Sequence, residues 1–214
     1  STGPKPTLTY TVPEALSNQI DLLYSNTNKN IHKPTTGTSV TLDHKHALSR
    51  LTVKASAETA EGAYTFHVKE ISITGNFYTE GVFTLESGAW GNLKTASTTY
   101  TFYTNSEAAA ATNALGATVV DYGADSNYLM MIPVNFASNN AALTVKYTAL
   151  YGGVESGLKT ATLPISTNFA IGSAYAINIK FELSNAIEFS CDLDVSSDED
   201  GNNDGWNNTE LGIQ

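Results

Sequence analysis

A single cysteine, Cys191, stands among the 214 residues, which excludes an intrachain disulfide framework and any C-x-x-C redox or zinc-ribbon site. No apolar run reaches about 18 residues, so no segment is suited to cross a membrane as a helix. Charged side chains make up only 15% of the chain, and 11 Lys and Arg face 21 Asp and Glu, a net charge of −10. Phosphate recognition needs clustered cations, so nucleic acid is excluded as a partner. H-E-x-x-H, G-x-S-x-G, a P-loop and a strand-to-helix G-x-G-x-x-G are all missing, which leaves the common hydrolase and nucleotide chemistries without a motif. The opening Ser1-Thr-Gly-Pro-Lys-Pro carries no leader pattern and reads as an interior or processed start.

What is present is β-forming material. Thr, Ser, Asn, Tyr and Gly are plentiful and 41% of residues are hydrophobic, the usage of a Thr-rich extracellular β protein. A chain of this length can bury one large core. Tyr175, Ile177, Ile179, Phe181 and Leu183 alternate with Ala176, Asn178, Lys180 and Glu182, which predicts a strand with one buried face. Leu143, Val145 and Tyr147 repeat the pattern, and Tyr100 and Phe102 follow it more loosely. Residues 128–134, Y-L-M-M-I-P-V, are apolar on both faces and read as a central strand with Pro133 at a bulge or end. Further strands are expected near residues 8–12, 20–24, 64–74, 81–86, 158–163 and 186–195. Links such as Thr36-Gly37, Gly75-Asn76 and Gly152-Gly153 suit antiparallel connections. One short helix is expected over residues 106–115, capped by Ser106 and ended by Gly116, within an all-β architecture.

Residues 43–54, D-H-K-H-A-L-S-R-L-T-V-K, carry a change of phase. Val40, Leu42, His44, His46 and Leu48 are even and Leu51, Val53 and Ala55 odd, so the pleat must slip near Ser49-Arg50. The slip recurs between Tyr64, Phe66, Val68 and Ile71, Ile73, which puts a second break at Lys69-Glu70. Two broken strands this close suggest a paired, bulged hairpin. Parity also sets His44 and His46 on one face, from which an H-x-H pair can reach a common metal. A third ligand is wanting, because His32 and His67 have no diagnostic spacing, and hydrogen-bonded, partly buried histidines are the stronger reading.

Other candidates are weaker still. Glu70, Glu80 and Glu86 could converge as paired carboxylates, but exposed strand positions account for them. Trp90 in S-G-A-W-G and Trp206 in D-G-W-N-N are candidates for stacking on a sugar ring, although a lone Trp after a glycine turn more commonly closes the edge of a core. Eight of the 21 acidic residues follow residue 183, where there is no Lys or Arg, whereas the body before it is nearly neutral. In that tail Asp198, Asp200, Asn202 and Asp204 are spaced as oxygen ligands for calcium. A loop starting at Asp200 meets Gly205 at its sixth position but Leu211 at its twelfth, with Glu210 one residue early, and a solvated acidic turn is the alternative.

The run D-H-K-H-A-L-S-R-L-T-V-K-A resembles the His-Ala-Leu-Ser-Lys/Arg signature of the fimbrillin-like proteins, the type V pilus subunits and their relatives in Bacteroidales. Before it, L-T-Y-T-V-P (8–13) and Q-I-D-L-L-Y (19–24) are similar to the family. After it come I-S-I-T-G (71–75), S-G-A-W (87–90), L-M-M-I-P (129–133), L-T-V-K-Y (143–147), F-A-I-G-S-A-Y-A-I-N-I (169–179) and A-I-E-F-S (186–190). Each motif is short; their collinear order, from residue 7 to about 195, carries the resemblance.

The resemblance implies a transthyretin-like, Greek-key β-sandwich, usually the second of two domains in a lipoprotein exported to the outer surface. On that basis residues 1–36 look like the end of an N-terminal fimbrillin domain, 37–195 the sandwich and 196–214 an acidic tail. No lipobox cysteine is visible, so outer-membrane association would run through a lipid anchor not present in this chain. The resemblance further implies a noncatalytic structural or adhesive subunit of cell-surface fimbriae. Its partners would be other fimbrial subunits, joined by strand exchange through the N-terminal strand region and the C-terminal segment, and host or bacterial surface ligands. The tail has donor-like spacing only at Leu193 and Val195 and at Leu211 and Ile213, which favours an accessory or tip-type subunit over a shaft subunit. A secreted carbohydrate-binding module is the alternative, and an enzyme using a metal on His44 and His46 a distant third.

Overall fold

The structure, a computed structural model, describes residues 5–25, 42–59, 64–105, 114–123, 127–182 and 187–193. The chain begins with β1 (Thr7–Thr11), β2 (Leu23–Tyr24), β3 (Lys45–His46), β4 (Ser49–Ala57), β5 (Thr65–Thr84) and β6 (Ala89–Thr104). It continues with β7 (Val120–Asp121), β8 (Leu129–Met131), β9 (Val134–Asn135), a single helical turn α1 (Phe136–Asn139) and β10 (Ala141–Tyr151). The last strands are β11 (Val154–Glu155), β12 (Lys159–Ile165), β13 (Asn168–Phe169), β14 (Ala174–Phe181) and β15 (Ile187–Leu193).

β5, 20 residues long, is the axis of the first sheet. β10 pairs antiparallel with residues 65–75 of it and β1 with residues 80–84, so the two lie end to end along one edge. β6 takes the opposite edge, and β11 and β12 line the far side of β10. The second sheet runs β15–β14–β4, with β7 and β8 sharing the outer edge of β4. Within it β14 and β4 are parallel, Ala174 beside Arg50 and Phe181 beside Ala57. Minor pairs, β2 with β3 and β9 with β13, complete a multi-sheet, sandwich-like β architecture.

The alternating residues fill the space between the sheets. Leu51, Val53, Ile177 and Ile179 from one sheet and Val68, Ile71, Leu143 and Val145 from the other belong to one buried cluster. Each large side chain so placed contributes roughly 1.5 to 3 kcal/mol. Phe66 of β5 stacks 4.9 Å from Phe181 of β14 across the sandwich. A second line of rings runs Tyr100–Phe77–Phe136–Phe169–Tyr175, with centroids 4.9, 5.0, 5.5 and 4.5 Å apart and edges turned to faces.

The phase changes take physical form. Lys146 is opposite Glu70 but Tyr147 is opposite Val68, so Lys69 is the extra residue of a β-bulge where parity put the break. The other break is a bend at Ala47-Leu48 between β3 and β4, slightly before the expected Ser49-Arg50. The two broken strands do not pair with each other: β4 lies in the second sheet and β5 in the first. Parity reports which side of a strand is buried, and both strands bury a side in the same core from opposite walls.

Other expectations are corrected. The strands near 64–74 and 81–86 are one strand, and Gly75 is not a turn; a Cβ there would come within 2.7 Å of Ala141 Cβ, so glycine allows β10 to approach. Residues 106–113 of the expected helix lie outside the described residues. Its end is not helical, since Ala114 bridges His67 and Leu115 N–H donates to Phe66 C=O. α1 stands elsewhere, capped by Asn135, whose side chain accepts from Ala137 N–H at 3.0 Å. Pro133 does sit between strand ends, those of β8 and β9, but β8 is a short strand on the outer edge of β4 and not a central one. Asp198, Asp200, Asn202 and Asp204, with Trp206 and His32, lie outside the described residues.

Candidate functional site

The H-A-L-S-R stretch is a crossing point. Ala47 N–H donates to Leu22 C=O at 2.8 Å, and Ala47 C=O accepts from Trp90 Nε1 at 2.7 Å. Gly172 N–H donates to Leu48 C=O, Ser49 Oγ donates to Ala170 C=O at 2.6 Å, and Arg50 N–H donates to Ser173 C=O. The bend therefore draws its hydrogen-bond partners from the lead-in, from the start of β6 and from the turn before β14. His46 is buried with Nδ1 2.5 Å from Asp21 Oδ2, whereas His44 is exposed, so the two do not share a metal site. Among the described residues no group of three or more His, Cys, Asp or Glu could hold a metal ion.

From Val12 to Tyr24 the lead-in straps across the sandwich. Val12 and Leu16 enter the main core, and Tyr24 packs edge-on against Phe83 at 4.8 Å. Gly88 of S-G-A-W has φ 65°, which favours glycine, and a Cβ there would come within 2.5 Å of the Tyr24 hydroxyl and displace that ring. Gln19 is 4% exposed; its Oε1 accepts from Met130 N–H at 2.7 Å and its Nε2 donates to Pro13 C=O at 2.8 Å. Gln19→Ala strands the buried Met130 N–H and is expected to destabilise the fold by about 1 to 3 kcal/mol. Urea denaturation, with Gln19→Glu as the acceptor-retaining control, measures the loss.

β1 itself is lightly held. Its five residues pair with β5 alone among the described residues, from Thr7 opposite Thr84 to Thr11 opposite Glu80. Four of the five are exposed, Leu8 at 41%, and Tyr10 alone leans inward, 6.2 Å from Trp90. At the other end of the chain β15 pairs antiparallel with β14 from Ile187 to Leu193 and forms an edge of the second sheet.

The remaining candidates are occupied. Trp90 is tilted against Phe83 at 5.0 Å and donates its indole N–H to Ala47 C=O, as a core-edge residue does. Glu70, Glu80 and Glu86 do not converge, each carboxylate meeting a different lysine: Lys146 at 3.0 Å, Lys94 at 2.6 Å and Lys5 at 3.2 Å. Burial, and then the charge of Glu14, pushes the Tyr100 phenol up to about 12. Burial also raises Tyr10, with a smaller push from Asp21, and Tyr147. These phenols stay protonated at neutral pH, hydrogen-bond donors rather than bases. Gln19, Asp21 and Leu22, which fasten the lead-in, carry no recognisable spacing in the sequence, because the partners they reach across the fold, Met130, His46 and Ala47, are far along the chain.

The sequence pattern of the fimbrillin-like family matches residues 1–194. No curated protein matches the chain. Among solved structures it is similar to a fimbrial protein from Bacteroides vulgatus, at 16% identity and a TM-score of 0.64, over 88% of this chain and 68% of that one. It is also similar to a candidate cell adhesion protein from Bacteroides uniformis, at 16% identity and a TM-score of 0.49, over 86% of this chain and 64% of that one. A third, a candidate cell adhesion protein from Bacteroides ovatus, has 14% identity and a TM-score of 0.40, over 89% and 60%. The chain thus spans less than two thirds of the second and third of these proteins. The likeness to the first is one of fold. The family pattern runs from before β1 to the last residue of β15 and beyond, through the H-A-L-S-R crossing, and the chain belongs to the fimbrillin-like family.

Proposed function

We propose that the protein is a noncatalytic structural or adhesive subunit of cell-surface fimbriae, and that it joins other fimbrial subunits by β-strand addition. The observation that carries the reading is β1: a short, mostly exposed N-terminal strand seated on β5, in line with β10, and paired on one side among the described residues. A strand held this way is exchangeable, since an incoming segment can repeat its backbone hydrogen bonds and set apolar side chains against Trp90 and Phe83. In this reading the architecture is a transthyretin-like, Greek-key sandwich, residues 1–36 are a lead-in resembling the end of an N-terminal fimbrillin domain, of which β1 is the exchangeable strand, 37–195 are the body and 196–214 the acidic tail. A lipid anchor lying outside these residues ties the assembly to the outer membrane. The carbohydrate-binding alternative loses support at Trp90, whose ring and N–H are engaged internally.

The test is a chain trimmed to begin at Val12. It is expected to form concentration-dependent, denaturant-resistant polymers, or to bind a synthetic peptide of residues 5–12 that the untrimmed chain does not bind. A trimmed protein that folds, forms no polymers and ignores the peptide sinks the strand-addition reading.

A further inference from the structure

An unpaired row of N–H and C=O groups templates pairing with another chain, so edge strands are ordinarily blunted by proline, charge, bulges or shortness. The edges of this protein are not treated alike. β12, on one side of the first sheet, is 7 residues long and contains Lys159 and Pro164. β15, on an edge of the second sheet, contains Glu188 and Asp192. β6 is 16 residues long, roughly 50 Å by strand geometry, and pairs with β5 alone among the described residues. It contains no Pro, Asp or Glu, and its one cation, Lys94, is held by Glu80 at 2.6 Å.

Bulges break β6 only towards its ends. Ile71 is opposite Tyr103 but Ser72 is opposite Thr101, which leaves Phe102 extra. Asn92, with φ 49°, and Leu93 both stand against Gly81. Between these points residues 95–101, T-A-S-T-T-Y-T, run in unbroken register with residues 72–78 of β5. Thr95, Ala96, Ser97, Thr99 and Thr101 are exposed, Thr98 is half-buried and Tyr100 is buried. An uncharged window rich in β-branched residues, free of Gly and Pro, is the kind of segment that accepts another strand most readily.

We propose that this window is a lateral docking edge for a second copy of the chain, β6 against β6, antiparallel about Thr98. Pairing about that point sets Thr95 opposite Thr101, Ala96 opposite Tyr100 and Ser97 opposite Thr99 of the other copy. The result is a hydroxyl ladder of the kind Thr74 and Thr99 already make at 2.8 Å. Each Lys94 falls opposite Phe102 of the other copy, beyond the window, so no charge meets its like although the chain carries −10. The contact is isologous and closes at two copies. It uses the edge of the sheet away from β1, so it is independent of strand addition at the β1 seat.

Sedimentation of the full 214-residue chain across concentrations is expected to show a monomer–dimer equilibrium. In a Cys191→Ser background, Thr98→Cys is expected to form a disulfide-linked dimer under mild oxidation, faster than Thr160→Cys on the exposed face of β12. Thr98→Lys sets like charges together at the two-fold and is expected to raise the dimer Kd at least about fivefold. Its far-UV spectrum and its binding at the β1 seat should be unchanged. A chain monomeric at every concentration, a dimer indifferent to Thr98→Lys, or cross-linking no faster at Thr98 than at Thr160 overturns the proposal. Should Thr98→Lys fail to fold, the two cysteine variants decide.

Discussion

Phe136→Ala is expected to lower the stability of the fold by about 3 to 5 kcal/mol, the range for emptying a buried phenylalanine site. Phe136 is 1% exposed and stands edge-on to Phe77 at 5.0 Å and to Phe169 at 5.5 Å. Those neighbours are held by β5 and β13, and through Tyr100 and Tyr175 the line of rings reaches both sheets. Walls made of paired strands relax little into a void, so the upper part of the range is the expectation. A domain of this kind has only about 5 to 15 kcal/mol to lose, so the urea midpoint should fall by about a fifth or more. Phe136→Leu, which leaves a smaller void, should recover roughly half of the loss. A loss below about 1 kcal/mol would mean that α1 collapses onto the rings and that the stack is not structural.

Trp90→Ala is the second large effect, expected at about 3 kcal/mol or more. The side chain lies against Phe83, supports Tyr10 of β1 and donates to Ala47 at the bend, so one substitution loosens three segments. Trp90→Phe keeps much of the apolar contact and removes the N–H; its cost, about 1 kcal/mol, isolates the hydrogen bond. Hydrogen exchange should distinguish this from a ligand-binding role, because the amides of residues 7–11 are expected to lose protection in Trp90→Ala. A variant with unchanged stability and protection but altered glycan binding would reinstate the carbohydrate reading.

Much of the fold was legible because burial on one side of a strand leaves a period of two. The strands around Val145 and Ile177 and the bulge at Lys69 could be read from parity alone. Residues 92–99 of β6 left no such trace, because Asn92 to Ser97 are exposed on both faces and alternation requires a buried one. Parity also could not assign β4 and β5 to different sheets. The site was less legible than the fold. His46 read as a hydrogen-bonded, partly buried histidine more than as a metal ligand beside His44, but its partner, Asp21, 25 positions earlier, is brought near only by the strap and left no mark in the sequence. The H-A-L-S-R signature was visible, yet its reason, a bend that hydrogen-bonds segments distant on both sides along the chain, emerges only in three dimensions.

The parallel pairing of β4 with β14 governs when this molecule can fold. Arg50 lies beside Ala174 and Ala57 beside Phe181, a contact of very long range along the chain that spans the strands of the first sheet. Closing so large a loop is entropically expensive and sets a slow step, whereas the β5–β6 hairpin can form early from neighbouring residues. Until residues 174–181 emerge, β4 has no partner on the side that β14 will occupy, and an apolar strand waits uncovered. Completion of the second sheet therefore waits on residues 174–181, in the last fifth of the sequence.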